Sequence, residues 1–289
     1  MHFKKVKGIL SPKNGLNLSR GCIHGCIYCD SRSSCYNMDH DFEDVEIKIN
    51  APELLEAKLR SKRRRCMIGT GAMSDPYIPI DESLKITRTC LEIIERHGFG
   101  LAILTKSNLI LRDIDLLNSI NRKAKCIVQM TLTTFDEGLC KTIEPNVCTT
   151  KERFETLKIL RDNGIRTVVW LGPLLPFIND TEENLRGILN YCIEAGVCGI
   201  LSFGMGMTLR EGNREYFYDK LDLHFPGLRT KYEKKYGNNY IITSGNSRRL
   251  TAILQETCKE NNMICDMQKL FEFVSAFDEK ITNEPFLPF

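Results

Sequence analysis

No run of this 289-residue chain approaches the roughly 18 consecutive apolar residues that a membrane-crossing helix needs. The opening segment, MHFKKVKGIL, lacks the apolar centre of a secretory signal. Together these absences predict a soluble, cytoplasmic protein with no membrane partner. Excess charge of one sign is missing too: 40 Lys and Arg against 37 Asp and Glu leave a net charge of +3, which by itself does not argue for a nucleic-acid partner. The densest basic run, Lys62 to Arg65, is expected to solvate a helix end, where cations also face the negative end of the dipole. Low-complexity tracts and internal repeats are absent, and tryptophan occurs once, at Trp170.

Cysteine is the residue the chain has in excess. Thirteen would suggest disulfides in a small secreted protein, but without a leader, and with most of them inside apolar periodic segments, they are expected to be reduced. Cys90, Cys126, Cys192 and Cys198 fit ordinary buried thiols. Such free thiol use suits a reducing, anaerobic cytoplasm.

Three cysteines stand apart. Cys22, Cys26 and Cys29 crowd one short loop in the run RGCIHGCIYC, with an aromatic, Tyr28, just before the last of them. Short loop-forming spacings of this kind hold iron–sulfur clusters, and three thiolates leave the fourth iron of a four-iron cluster open. The alternative is a zinc tetrahedron completed by Cys35, which would make the chain a non-catalytic zinc-binding interaction module. Zinc ribbons normally use two separated cysteine pairs. His24, inside the loop, is expected to be structural or to tune the cluster.

Past residue 15 strand-like and helix-like segments alternate, the pattern of a parallel sheet with crossover helices. Strands are expected at Leu16–Ser19, Cys66–Thr70, Leu101–Thr105, Cys126–Thr133, Thr167–Leu171 and Cys198–Phe203. Helices are expected over 52–61, Glu82–His97, 112–121 and 150–162, with another running to Gly196 behind a capping box of Asp180 and Glu183. Six such units with right-handed crossovers give a partial (β/α)6 barrel over residues 1–205; an open doubly wound sheet is the alternative. Helices near 213–221, 226–236 and 247–261 would form a C-terminal helical cap, 206–289, packed on the barrel as one structural unit. Chemistry in parallel barrels collects at the carboxyl ends of the strands.

The spacing C-x3-C-x2-C with its preceding aromatic resembles the radical SAM superfamily. The longer runs RGCIHGCIYCDSRSSCY, MSDPY, LTKS and TTFDEGLCKTIEP, each at a predicted strand end, resemble the spore photoproduct lyase family within it over roughly residues 15–205. That resemblance implies a 4Fe-4S cluster on Cys22, Cys26 and Cys29, S-adenosylmethionine (SAM) on its open iron, and a radical that takes hydrogen from a substrate. It implies SAM contacts from Tyr28 near the adenine, Ser74 near the methionyl group and Lys106 on the carboxylate, with Thr131 and Thr133 at the fourth strand end. An electron donor such as flavodoxin or ferredoxin is implied as partner.

DNA photoproduct lyases carry a hydrogen-donating cysteine two positions before the matching serine, where this chain has Ala72. With the weak net charge, this makes the chain resemble the queuine lyase branch, which releases 7-aminomethyl-7-deazaguanine from the free base by C–N cleavage. DNA photoproduct repair is the alternative. A deazaguanine edge presents two donors that one carboxylate accepts together, and its ring asks for an aromatic wall. Candidate acids are Asp75, Glu144, Glu211 and Asp222; candidate walls are Trp170, Tyr77, Phe203, Tyr36 and Phe177; His224 is a candidate proton carrier.

Overall fold

The computed structural model describes residues 1–278. Six strands, Gly15–Leu16, Met67–Thr70, Gly100–Thr105, Cys126–Leu132, Arg166–Leu171 and Gly199–Leu201, lie side by side in sequence order, and every neighbouring pair is parallel. The connections carry helices α1 (Ala51–Arg60), α2 (Asp81–Arg96), α3 (Ile114–Lys123), α4 (Glu137–Ile143), α5 (Thr150–Asp162) and α6 (Glu182–Ala195). The sheet is open between its first and last strands, which makes it a partial (β/α)6 barrel. Its third and fourth strands are buried at every residue, as a sheet covered on both faces requires. No helix among the described residues is long and apolar enough to cross a membrane.

Two predicted details differ. The segment Leu16–Ser19 is divided: Gly15–Leu16 opens the barrel, while Ser19–Arg20 pairs antiparallel with Glu46–Lys48 in a separate three-stranded sheet that also takes in His2–Lys4. The cap of α6 is Thr181, whose side chain accepts from the Asn184 amide. Asp180 is occupied elsewhere, accepting from the Phe177 amide at 2.8 Å and from the Ser244 hydroxyl at 2.5 Å, so it ties the barrel to the C-terminal region instead. At α5 a capping box is in place, with Thr149 and Glu152 exchanging bonds. Helix α4 was not foreseen; Asp136 caps it through the Leu139 amide.

Beyond the sixth strand, Gly206–Thr208 pairs with Ile241–Thr243, and helices α7 (Asn213–His224), α8 (Leu228–Tyr236), α9 (Ser247–Glu260) and α10 (Met267–Ser275) follow. Phe217, Tyr218, Tyr232 and Tyr236 of α7 and α8 share a buried cluster with Cys26, Ile27 and Tyr28, so this region packs against the cysteine loop. On the other side Ile264 forms a parallel bridge with Gly199, which continues the open sheet edge.

Close approach dictates glycine at several positions, Gly71 among them. Gly71, just past the second strand, has φ +97°, and a Cβ there would lie 1.8 Å from the Leu104 carbonyl oxygen. Gly71→Ala is therefore expected to destabilise the fold by about 2 kcal/mol or more, since strain and overpacking act together. Urea denaturation checks this; an unchanged midpoint would refute it.

Candidate active site

The cysteine loop is pinned from several sides. The Cys22 amide donates to the Phe42 carbonyl at 3.0 Å, the Ile27 amide to Ile143 at 3.0 Å and the Asn146 amide to His24 at 3.1 Å. Ser74 donates its hydroxyl to the Gly21 carbonyl at 2.8 Å and is itself 2.7 Å from the Ser19 hydroxyl oxygen. Ser74 thus lines the cavity while its own proton is committed to the loop.

Cys22 and Cys26 are buried and Cys29 is half-buried, and all three face one cavity of about 690 Å³ at the carboxyl ends of the strands. Burial and then the Asp75 charge push the Cys22 thiol up to about 12, and burial raises Cys26 well above its ordinary value. Bare thiolates are costly there, so ligand formation asks for a positively charged centre. A single zinc would hold sulfurs at about 2.3 Å, hence about 3.8 Å from one another. Among the described residues no cysteine trio gathers that closely. Cys35 is exposed and takes a contact from Arg210 Nη1 at 3.2 Å, outside the wall of the cavity. The residues fit a multi-iron centre, whose sulfurs sit on separate irons, better than one zinc.

Lys106 extends from the third strand end into the same cavity, and its ammonium has no hydrogen bond or ion pair among the described residues. Burial opposes its charge, but the negative groups around it, Cys26 and Glu144 foremost, lift its pKa. It is a buried cation with free donors, suited to a carboxylate ligand. Its backbone is held by Asp75, whose Oδ2 accepts from the Lys106 amide at 2.8 Å while Oδ1 accepts from the Thr105 hydroxyl at 2.7 Å and the Tyr77 amide at 2.9 Å. His24 Nε2 lies 3.2 Å from Oδ2. Burial raises the Asp75 carboxyl, yet His24 and these hydrogen bonds hold it at about 2. With its oxygens so engaged, Asp75 is a fastener of the strand ends rather than a reader of substrate.

Glu144 is likewise not a cavity acid. Fully buried, it accepts from the Tyr28 hydroxyl and from Thr133 at 3.1 Å, and pairs with the buried guanidinium of Arg153. Arg153 also donates to the Thr131 carbonyl at 2.8 Å and the Cys148 carbonyl at 3.0 Å. Burial raises the Glu144 carboxyl, but Arg153 and Lys106 bring it down to about 2. Tyr28 keeps its ring on the cavity wall with its hydroxyl tied into this network. Thr131 lines the cavity; Thr133 lies fully buried behind it.

Part of the cavity wall is aromatic. Trp170 and Phe203 meet edge to face at 5.4 Å, with the Trp170 indole N–H donating to Gln129 at 2.8 Å. Tyr36 also faces the cavity, and so does Ala72. Four other sequence candidates lie elsewhere: Tyr77 is in the main core, Glu211 is exposed outside the cavity, Asp222 pairs with Arg229 at 2.9 Å, and Phe177 packs on Tyr232. His224 lines a shallow outer groove. Long-range packing decides these placements, because each residue type would have suited a pocket.

The sequence reading missed Asp30, the residue after Cys29. It is the remaining acid on the cavity wall, accepting from Tyr36 at 2.9 Å and Thr208 at 3.0 Å, with Arg210 Nε 3.5 Å away. Its position beside the last loop cysteine was the available signal. Tyr240, also on the wall, comes from the C-terminal region and carried no signal.

An open parallel barrel with three thiols and a buried free cation at its strand ends defines an enzyme built around a cysteine-held cofactor. The chain belongs to the radical SAM superfamily, whose family model matches residues 16–192. Its cofactors are accordingly a 4Fe-4S cluster and SAM. An uncharacterized protein of Methanocaldococcus jannaschii is 34% identical over 176 residues, 60% of this chain and 65% of its own length. An uncharacterized protein of Mycobacterium tuberculosis is 29% identical over 227 residues, 76% of this chain and 66% of its own. The chain thus spans just under two thirds of the length of these relatives. A spore photoproduct lyase variant with bound AdoMet and dinucleoside spore photoproduct has the same fold at 13% identity, with a TM-score of 0.62 over 90% of this chain and 76% of that one.

Glu144→Gln would leave Arg153 buried and unpaired, with an expected cost of about 3–5 kcal/mol. Because the folded Glu144 carboxyl lies at about 2, below its unfolded value of about 4.3, its contribution is present above the unfolded value and is lost as pH falls through the folded one. Wild-type stability should therefore drop between pH of about 4.3 and 2 more steeply than that of Glu144→Gln. Denaturation curves across that window test it; parallel pH profiles would refute the assignment.

Proposed function

We propose that this radical SAM enzyme is a lyase that cleaves a C–N bond of the free base queuine, releasing 7-aminomethyl-7-deazaguanine. The observation that carries the reading is the aromatic pair of Trp170 and Phe203 on the cavity wall, with the acid Asp30 lining the same cavity. When bound and reduced by one electron, the cluster and SAM supply a 5′-deoxyadenosyl radical. Cys22, Cys26 and Cys29 would hold the cluster, and the free ammonium of Lys106 would pair with the SAM carboxylate. Asp75 and the Glu144–Arg153 pair position Lys106 and Tyr28. Ser74 acts by fixing Gly21 of the loop. Asp30, whose carboxylate already accepts from Tyr36, Thr208 and Ser33, offers the remaining one of its about four lone-pair sites to a base N–H, while Trp170 and Phe203 flank the ring of the base. A cavity of about 690 Å³ lies within the range of small-molecule sites.

Repair of a DNA photoproduct is the second reading, favoured by the fold likeness to spore photoproduct lyase. Against it stand Ala72, at the donor position on the cavity wall, and the net charge of +3, weak for a protein that must neutralise phosphates.

Anaerobically reconstituted enzyme should form 5′-deoxyadenosine and the aminomethyl base from queuine, with little dependence on salt, and Asp30→Asn should raise the KM for queuine. Reversal of photoproducts in irradiated DNA without queuine turnover would overturn the substrate.

Lys106→Ala should lose a charge-assisted bond of about 1.5–3 kcal/mol, weakening SAM by about one to two decades. Calorimetry on the cluster-loaded protein checks this, and unchanged affinity would sink the role given to Lys106. Cys26→Ala should lose the cluster, whereas Cys35→Ala should retain it.

A further inference from the structure

We infer that the small N-terminal sheet carries a second metal site, separate from the cysteine loop, for a divalent transition-metal ion held by His40, Glu46, Asp39 and His2. A ring nitrogen of His40 and carboxylate oxygens of Asp39 and Glu46 lie within 4.8 Å of one another. His2 Nε2 is 3.8 Å and His40 Nε2 3.9 Å from the same oxygen, Glu46 Oε2.

The histidines are oriented as metal ligands are. His40 Nδ1 is 2.9 Å from the Asp41 carbonyl oxygen, which can only accept, so this nitrogen donates and Nε2 is the atom turned toward Glu46. That Nε2 is buried and has no hydrogen-bond partner. His2 Nδ1 is 2.9 Å from Asp44 Oδ2, so its Nε2 is likewise the ring atom left to face Glu46. A carbonyl or carboxylate on the far nitrogen is the usual means of fixing a ligating imidazole. Imidazole with carboxylate suits zinc and its first-row neighbours, and metal–donor distances of about 2.0–2.2 Å require the two imidazole nitrogens to approach Glu46 by roughly half an ångström and the wider pairs by up to about an ångström more.

Two cations already touch the cluster. The Lys4 ammonium is 2.7 Å from Glu46 Oε2, and the N-terminal amine is 2.9 Å from Asp44 Oδ1. Lys4 is 44% exposed and can turn into water, so the ion would displace it; the terminal amine leaves Asp44 Oδ2 to His2. The site lies behind the cysteine loop: Glu46 is paired in register with Arg20, and the Phe42 carbonyl receives the Cys22 amide. An ion here would fasten the N-terminal strand and the 38–46 segment into the layer that backs the loop.

The test is titration of the cluster-loaded, chelator-washed holoprotein with zinc by calorimetry and with cobalt by visible absorption, iron content being followed throughout. The expected result is one zinc per chain with Kd at or below about 10 μM, a higher Tm with zinc, and a cobalt spectrum free of thiolate charge-transfer bands. His40→Gln and Glu46→Gln should weaken zinc by about tenfold or more at unchanged iron content, and Lys4→Ala should tighten it several-fold. Absence of stoichiometric binding, thiolate bands in the cobalt spectrum, affinity unchanged in His40→Gln, or affinity not improved in Lys4→Ala would each overturn the site.

Discussion

The buried pair of Glu144 and Arg153 is the interaction on which the open end of the barrel rests. A guanidinium and a carboxylate that are both shut off from water must satisfy each other and nearly all their remaining donors and acceptors. Here Arg153 spends its bonds on the carbonyls of Thr131 and Cys148, and Glu144 spends its own on Tyr28 and Thr133. One ion pair therefore locks together the fourth strand end, the start of α5, the end of α4 and the cysteine loop. Breaking it would leave a charge in the core and would free the loop from the strand beneath it.

Asp75 performs a parallel task one strand away. Its carboxylate gathers the Tyr77 and Lys106 amides, the Thr105 hydroxyl and His24, so the second and third strand ends and the loop move as a unit. The ammonium of Lys106 is left as the free positive group in a cavity that also holds three thiols. The cavity wall thus brings together Lys106 and the three thiols, the aromatic pair of Trp170 and Phe203, and the acid Asp30. The N-terminal sheet backs the loop from behind, where a second cluster of imidazoles and carboxylates is assembled from residues 2 to 46.

Much of this was legible in the chain itself. The order of six strands and the main helices followed from alternation of buried runs and amphipathic stretches, because a fully covered parallel strand must be apolar throughout and its crossover helix must be apolar on one face. Cys22, Cys26 and Cys29 could be named from their spacing, and Lys106 from the family resemblance of the run that carries it at a strand end. The three-residue strands of the N-terminal sheet escaped notice, since a strand that short carries too little periodicity to register. The division of Leu16–Ser19 between two sheets was hidden for the same reason.

Residue type misled where tertiary environment decided. Glu144 and Asp75 were plausible acids for a base edge, and both are saturated by neighbours brought from distant positions, Arg153 and Thr105 among them. Asp222 and Glu211 face away, while Asp30, never singled out, faces the cavity. Local sequence determined the elements and the thiol loop, since propensity, burial periodicity and short spacings act over a few residues. Only the tertiary structure decided which acids keep a free lone pair, which cation stays unpaired and which rings wall the cavity, because a polar group's chemistry depends on partners that chain spacing does not reveal.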